Sequence, residues 1–294
     1  MYYTFLLAKF LASSLPRSGA YAVAKFFALI HYCFSSKDRE AVRFNLSFIL
    51  SDPQEIKKYS KQVFINFAYY LTDFFRYSKL NHKFIKKYVK VSGLEHLQWA
   101  KSQNMPTICL SAHLGNYELA GAVSSLLGYP VAAVALTHKD KRANELFDKQ
   151  RRRVGMKVIA PGNTIRNCLS SLKEGDLLAL LGDRDFAKSG YKLNFFSHKT
   201  NVPRGVGYFA LKSKACIIPG FLIRENKYYY NFRFEEPLCY EDFKNLSEEE
   251  IMIKCIPIME RYIRKYPDQW YIFTKFWDDA QAERGEEKEV GRGK

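Results

Sequence analysis

Residues 107–127, TICLSAHLGNYELAGAVSSLL, constrain the fold more than any other stretch. The apolar run TICLSA is too short for a buried helix and reads as a buried strand. It leads directly into His113, and Gly115 and Asn116 break the strand. From Tyr117 the residues suit a helix, with Asn116 as N-cap and Gly128 closing it. Three further short apolar runs follow: VAAVAL at 131–136, KVIA at 157–160 and LLALLG at 177–182. Helical stretches near 117–127, 140–154 and 163–173 separate them. Such alternation implies an α/β fold around a mostly parallel mixed sheet with right-handed crossovers, flanked by helices.

In open sheets of this class ligands bind beyond the carboxyl ends of the strands. His113 follows the first strand and Asp183-Arg184-Asp185 follows the fourth, so both groups are expected on one rim. Glu118 lies five residues after His113. On one continuous helix that spacing would point the two about 140° apart, at about 100° per residue. A His–Glu contact therefore needs the histidine in the turn, folding back over the first helical turn. A carboxylate on one ring nitrogen fixes the tautomer and leaves the other nitrogen to act as a general base. The same residues also fit a strand-end histidine capped by a carboxylate for structural reasons, and the motif alone does not separate the two readings.

The N-terminus holds two apolar stretches, MYYTFLLAKFLA at 1–12 and AYAVAKFFALIHYCF at 20–34. Lys9, Lys25 and His31 interrupt them, and neither supplies the roughly 18–20 apolar residues of a spanning helix. A pair of amphipathic helices, with aromatics in one leaflet and lysines at the phosphates, is the reading adopted for 1–34. A helical hairpin over the core and a single tilted anchor are the alternatives. Residues 35–279 form the α/β unit, beginning with two helices over 36–50 and from Pro53. The charged stretch 280–294 is expected to be disordered. Residues 186–205, FAKSGYKLNFFSHKTNVPRG, read as a long loop with a lid or substrate-contacting role. Two strands, CIIPGFLIRE and YYYNFRFEEP, turn at Asn226-Lys227, and Ser247 with Glu250 forms a capping box for a helix over 248–265.

A formal net charge of +16 favours an anionic partner such as an anionic membrane lipid or an acidic protein. The basic residues are spread along the chain with no RNA- or DNA-binding signature, so nucleic acid is not an expected partner. The six cysteines are far apart and form no C-x-x-C pair, which argues against a disulfide framework or a cysteine-based metal site. G-x-S-x-G, H-E-x-x-H and Walker motifs are absent from the sequence. A His–carboxylate base with no adjacent nucleophile suits direct attack by a substrate hydroxyl. Together with the basic, membrane-seeking surface it suggests acyl transfer at a membrane. A non-catalytic lipid-binding protein would use the same surface.

The chain resembles the lipid A biosynthesis lauroyl/myristoyl acyltransferases, within the lysophospholipid acyltransferase-like superfamily. The resemblance runs over residues 1–279 and rests on REAVRFNLSFIL, the H-x4-E block at 113–118, LLGDRDF at 180–186, Phe195-Phe196 with Val202-Pro203-x-Gly205, and RYIRKYPDQWYIFTKFW. It implies a glycerol-3-phosphate acyltransferase-like fold with N-terminal membrane-associated helices. The implied enzyme lies at the cytoplasmic face of the cell inner membrane, needs no cofactor or metal, and moves an acyl chain from acyl carrier protein to a phosphorylated glycolipid. His113 then corresponds to the general base and Glu118 to its orienting carboxylate. Asn116, Asp183, Arg184 and Arg204 are the implied substrate-binding residues, and Asp268, Gln269 and Trp270 a packing block.

Overall fold

The computed structural model describes residues 2–135, 140–160, 162–186 and 189–277. In chain order its helical first part comprises α1 (Tyr2–Ser14), α2 (Arg17–Phe34), α3 (Ser36–Leu46), α4 (Pro53–Phe75), a three-ten turn at Tyr77–Lys79 and α5 (His82–Tyr88). Next come β1 (Val89–Ser92), α6 (Leu94–Ser102), β2 (Thr107–Ser111), α7 (Tyr117–Leu126), β3 (Val131–Val134), α8 (Lys141–Arg153), β4 (Lys157–Ile159), α9 (Thr164–Lys173) and β5 (Leu177–Leu181). The last part holds β6 (Tyr191–Phe195), β7 (His198–Val202), α10 (Gly205–Ser213), β8 (Cys216–Arg224), β9 (Tyr230–Phe234), α11 (Tyr240–Phe243), α12 (Glu248–Lys265) and a three-ten turn at Pro267–Gln269.

Seven strands form one sheet in the order β1-β9-β8-β2-β5-β3-β4. All neighbours are parallel except β8 and β9, which pair antiparallel as a hairpin. The sheet is therefore mixed and mostly parallel, as the alternation implied. β2 is central, and all five of its residues are buried. That burial on both faces explains why TICLS is a continuous apolar run rather than an alternating one. One core, on the α9, α10 and α12 side, includes Ile108, Leu110, Phe221, Met259 and Trp270. The other, on the α6, α7 and α8 side, includes Cys109, Val123, Leu146 and Ile218. A third joins α2, α3 and α4 through Tyr21, Val42, Leu46, Val63 and Phe64.

Local signals explain most boundaries. The Asp52 side chain accepts from Gln54 N at 2.8 Å with Pro53 in the first helical turn, so α4 starts where expected. The Ser247–Glu250 capping box opens α12, with both reciprocal bonds made. Helix α3 ends at Leu46, four residues before the expected end, as Ser47 Oγ turns back to the Phe44 carbonyl.

Three expectations need correction or completion. Residues 186–205 are not a plain loop, because β6 and β7 form an antiparallel hairpin within them. Leu193, Phe195, Thr200 and Val202 point inward, and Phe196 N donates to Glu260 of α12 at 2.5 Å. Phe196 and Ser197, both at positive φ, make the two-residue turn without the usual Asn-Gly. Secondly, β1 was not expected; it adds parallel to β9 at the sheet edge. Thirdly, the N-terminal stretches are helices of 13 and 18 residues, and no described helix is long and apolar enough to cross a membrane. Leu136, expected to extend the strand now seen as β3, and the 280–294 tail lie outside the described residues.

Candidate active site

His113 sits two residues beyond the end of β2, in a turn fixed from both sides. Tyr271 N donates to the His113 carbonyl at 2.8 Å, and Gly115 N donates to the Gln269 carbonyl at 2.9 Å. Asn116 N donates to the Leu222 carbonyl at 2.8 Å. Gly115 has φ of +63°, and a Cβ there would stand 2.2 Å from the Leu222 carbonyl oxygen, so both conformation and space demand glycine. Asn116 then caps α7, accepting from Leu119 N at 3.1 Å, as its place in the sequence indicated.

The carboxylate that meets the imidazole belongs to Asp183. His113 Nδ1 donates to Asp183 Oδ1 at 2.8 Å, His113 N donates to Oδ2 at 3.0 Å, and Trp270 Nε1 donates to Oδ2 at 3.0 Å. Asp183 is fully buried. Burial opposes its ionisation, but the attraction of the His113 imidazole and the three hydrogen bonds outweigh it and hold the carboxyl below its ordinary range. With Nδ1 donating to an anion, Nε2 is the ring's acceptor nitrogen. It has no hydrogen-bond partner among the described residues, and the side chain keeps 14% exposure. The ring is flanked by Tyr117 and Phe186, with centroids at 5.5 and 5.7 Å.

The expected His113–Glu118 contact does not form. Glu118, in the first turn of α7, faces α8, where Arg151 Nε donates to Oε2 at 3.1 Å and to Oε1 at 3.2 Å. Both side chains are nearly buried. The reason lies in the sheet register. β2 and β5 pair with Ser111 opposite Leu181, and carrying that register two residues onward sets His113 opposite Asp183. Adjacent parallel strands of equal extent thus deliver the imidazole and the carboxylate to each other, while the Gly115–Asn116 turn sends Glu118 to α8.

The other expected site residues divide. Asp183 is spent on three donors and sealed from solvent, so it is placed to orient His113 rather than to touch substrate. Asn116 is buried, and its amide group engages Leu119 N and the Tyr230 hydroxyl, at 3.3 Å. Arg184 follows Asp183, donates to Thr274 Oγ1 at 2.9 Å and lies over the Phe186 ring at 4.3 Å. Burial draws its pKa down against the pull of Asp183, and no described carboxylate lies within ion-pair distance. Its ring partner Phe186 also flanks His113, which brings the guanidinium to the same rim. Arg204 belongs elsewhere: at the start of α10 it is exposed, 3.6 Å from Glu248 and stacked over Tyr191. Trp270, read as packing, does lie in the core and in addition donates to Asp183, brought there by its isolated bridge to Leu114. The three cavities described, of about 140, 480 and 280 Å³, are lined by residues other than His113. No group of residues able to hold a metal ion occurs among the described residues.

A family model described as bacterial lipid A biosynthesis acyltransferase matches residues 1–278. The chain is 30% identical over 141 residues to a lipid A biosynthesis acyltransferase of Haemophilus influenzae, covering 47% of this chain and 44% of that protein. It is 25% identical over 197 residues to the lipid A biosynthesis palmitoleoyltransferase of Escherichia coli, covering 65% and 62%. It is 23% identical over 160 residues to a phosphatidylinositol mannoside acyltransferase of Mycobacterium tuberculosis, covering 52% and 51%. The matched stretches thus span about half the length of these relatives. Among solved structures, the 1-acyl-sn-glycerophosphate acyltransferase PlsC of Thermotoga maritima aligns with a TM-score of 0.38 and 14% identity, over 85% of this chain and 96% of that one.

Proposed function

The chain belongs to the bacterial lipid A biosynthesis acyltransferase family, and from that premise we propose that it moves a fatty acyl chain from acyl carrier protein to a hydroxyl of a lipid A precursor of the Kdo-lipid IVA type. The observation that carries the reading is His113, oriented by a buried aspartate with Nε2 left as acceptor. In the reaction, Nε2 takes the proton of the acceptor hydroxyl as its oxygen attacks the acyl thioester carbon. The tetrahedral intermediate collapses with cleavage of the carbon–sulfur bond, and the imidazolium returns the proton to the leaving thiolate. Asp183, ionised and dry, stabilises the transient imidazolium, and Trp270 holds the carboxylate in line. Arg184 is assigned to a phosphate of the acceptor.

A bilayer setting, at the cytoplasmic face of the inner membrane, accounts for the surface of α1 and α2. Tyr3, Leu7 and Phe10 on α1, and Phe26, Phe27 and Phe34 on α2, are large apolar side chains exposed to solvent. Lipid would cover them. A second reading keeps the chemistry and changes the acceptor to another phospho- or glycolipid, since relatives of comparable similarity are named for phosphatidylinositol mannoside.

The test is incubation of the purified protein with acyl carrier protein bearing a labelled acyl chain and, separately, a lipid A precursor or a phosphatidylinositol mannoside. Label in the lipid A precursor is expected, and the rate should fall with salt as the +16 chain loses its attraction for an acidic carrier. Label in the mannoside alone would move the assignment to the second acceptor. Label in no lipid, with lipid binding retained, would reduce the protein to a binder.

A further inference from the structure

The smallest of the three cavities, about 140 Å³, lies where the start of α2 meets the end of α4, the Tyr77–Lys79 turn and α5. Arg17, Asp73, Arg76 and Lys79 line it, three cations against one carboxylate. That carboxylate is already taken, because Asp73 accepts from Arg17, Arg224, Tyr21 and Tyr230. Its ion-pair partners are Arg17 and Arg224, so Arg76 and Lys79 bring two positive charges that no described carboxylate meets. Arg17 is held in place, with its guanidinium over the rings of Phe84 and Tyr88, each at 4.9 Å. Arg76 is half-buried and donates through Nη1 alone, to the carbonyls of Ala12 and, at 2.8 Å, Leu15. Its Nε and Nη2 have no partner among the described residues. Burial draws its pKa down, the pull of Asp73 does not restore it, and Arg17 adds repulsion. A guanidinium so placed is stabilised by an anion.

We propose that this cavity is a binding site for a phosphate monoester, held by Arg76 and Lys79 and separate from the site at His113. The inference goes beyond acyl transfer and does not rest on it. Near neutral pH such a group carries about −1.5 to −2 charge, which matches the two unmet cations. The planar fork of an arginine grips two phosphate oxygens at once, and a lysine adds a point charge. The cavity, at about 140 Å³, falls short of the roughly 300–1,000 Å³ of sites for drug-sized ligands. It therefore takes a headgroup or a free ion and not the sugars of a glycolipid. The surroundings favour such a group. Ala12 and Leu15 belong to the α1–α2 junction, and the helices on either side expose Leu7, Phe10, Phe26 and Phe27. Along α5, Lys83, Lys86 and Lys87 are exposed and have no described carboxylate partner. The same chemistry has two sources, the headgroup of phosphatidic acid in a bilayer and dissolved inorganic phosphate. From either source the anion would fasten the end of α4 to the α1–α2 junction, since Arg76 already holds two carbonyls there.

The full chain is tested with three probes: inorganic phosphate, phosphatidylcholine vesicles carrying phosphatidic acid, and vesicles carrying phosphatidylglycerol at equal surface charge. Inorganic phosphate should raise the melting temperature of the unaltered protein above its value in sodium chloride of the same ionic strength. Arg76→Gln should weaken phosphate binding by at least about tenfold. Lys79→Gln, at an exposed side chain, should weaken it by about threefold and leave the fold intact. Because Arg76→Gln also gives up the Ala12 and Leu15 carbonyls, Lys79→Gln decides the matter if the first variant does not fold. A phosphate-dependent shift with equal binding to both charged vesicles assigns the cavity to the free ion. Preference for phosphatidic acid vesicles, diminished in the variants, assigns it to the lipid headgroup. No shift with phosphate and no preference between the vesicles overturns the proposal. So does binding in the folded variants equal to that of the unaltered protein.

Discussion

At the scale of single residues, the site separates two carboxylates that the spacing of the motif had merged. Glu118 sits five positions from His113 yet bonds Arg151, whereas Asp183, seventy positions away, bonds the ring. Their loss should therefore look different. His113→Ala is expected to lower kcat by about 10²–10⁴-fold, the usual contribution of a general base, and to lower the melting temperature modestly, since the buried Asp183 keeps only its backbone and Trp270 donors. Glu118→Ala leaves the nearly buried guanidinium of Arg151 with only Asp148, 3.1 Å from its Nη1, at a cost on the order of 2 kcal/mol. Calorimetry beside initial rates checks the pair: an unaltered melting temperature in Glu118→Ala would show that the ion pair is not structural. Trp270→Phe keeps the ring and removes one charge-assisted bond to Asp183, worth about 1.5–3 kcal/mol. It should lower kcat by roughly 10–100-fold and leave KM alone, since the indole is buried behind Asp183. A change in KM without one in kcat would refute the positioning role.

At the scale of elements, legibility followed periodicity. β2, β5 and α7 declared themselves because a doubly buried strand is a plain apolar run and Asn116 is a recognisable cap. The β6–β7 hairpin hid because its alternation, Tyr-Lys-Leu-Asn-Phe, carries lysine and asparagine outward and its turn uses Phe196 and Ser197 at positive φ. The His113–Asp183 pair was half legible. Both residues were seen to follow strands onto one rim, but that β2 and β5 are neighbours, in register at Ser111 and Leu181, is a tertiary fact that no local pattern carries. Helix α2 was legible as amphipathic, and it yields a prediction at this scale. Its buried face, Ala20, Tyr21 and Ala28, packs inward while Phe26, Phe27 and Phe34 do not. Phe26→Ser with Phe27→Ser should weaken sedimentation with anionic vesicles by at least about tenfold, given about 1.5–3 kcal/mol for each large side chain removed from lipid. The fold should survive, because both rings are outside every core; vesicle binding equal to wild type would detach α2 from the membrane.

At the scale of the whole molecule, one buried cluster ties the N-terminal helices to the sheet. Asp73 of α4 takes Arg17 of α2 at 3.3 Å, Arg224 of β8 at 3.1 Å and the Tyr21 hydroxyl at 2.6 Å, and Tyr230 of β9 also donates to it. Tyr21, Asp73, Arg224 and Tyr230 are all buried. Burial works against the Asp73 charge, but Arg17 and Arg224 overcome it, so the carboxyl titrates below its ordinary range. The sign of the pH effect follows. A carboxylate whose folded pKa is depressed stabilises the fold fully above its unfolded value, about 3.9, and that stability is lost as pH falls through the lower folded pKa. Asp73→Asn removes the charge at every pH and leaves two guanidiniums facing each other, at an expected cost of about 3–5 kcal/mol near neutrality. Because the wild type forfeits the same interaction in acid, the difference between the two proteins should shrink below about pH 4. Denaturant unfolding across pH tests this, and limited proteolysis locates it: cleavage should rise first within α2, whose Arg17 and Tyr21 meet Arg224 and Tyr230 at this carboxylate. A stability gap that stays constant down through the acid range, or cleavage that begins in α12 instead, would show that the helices are held by their apolar contacts alone.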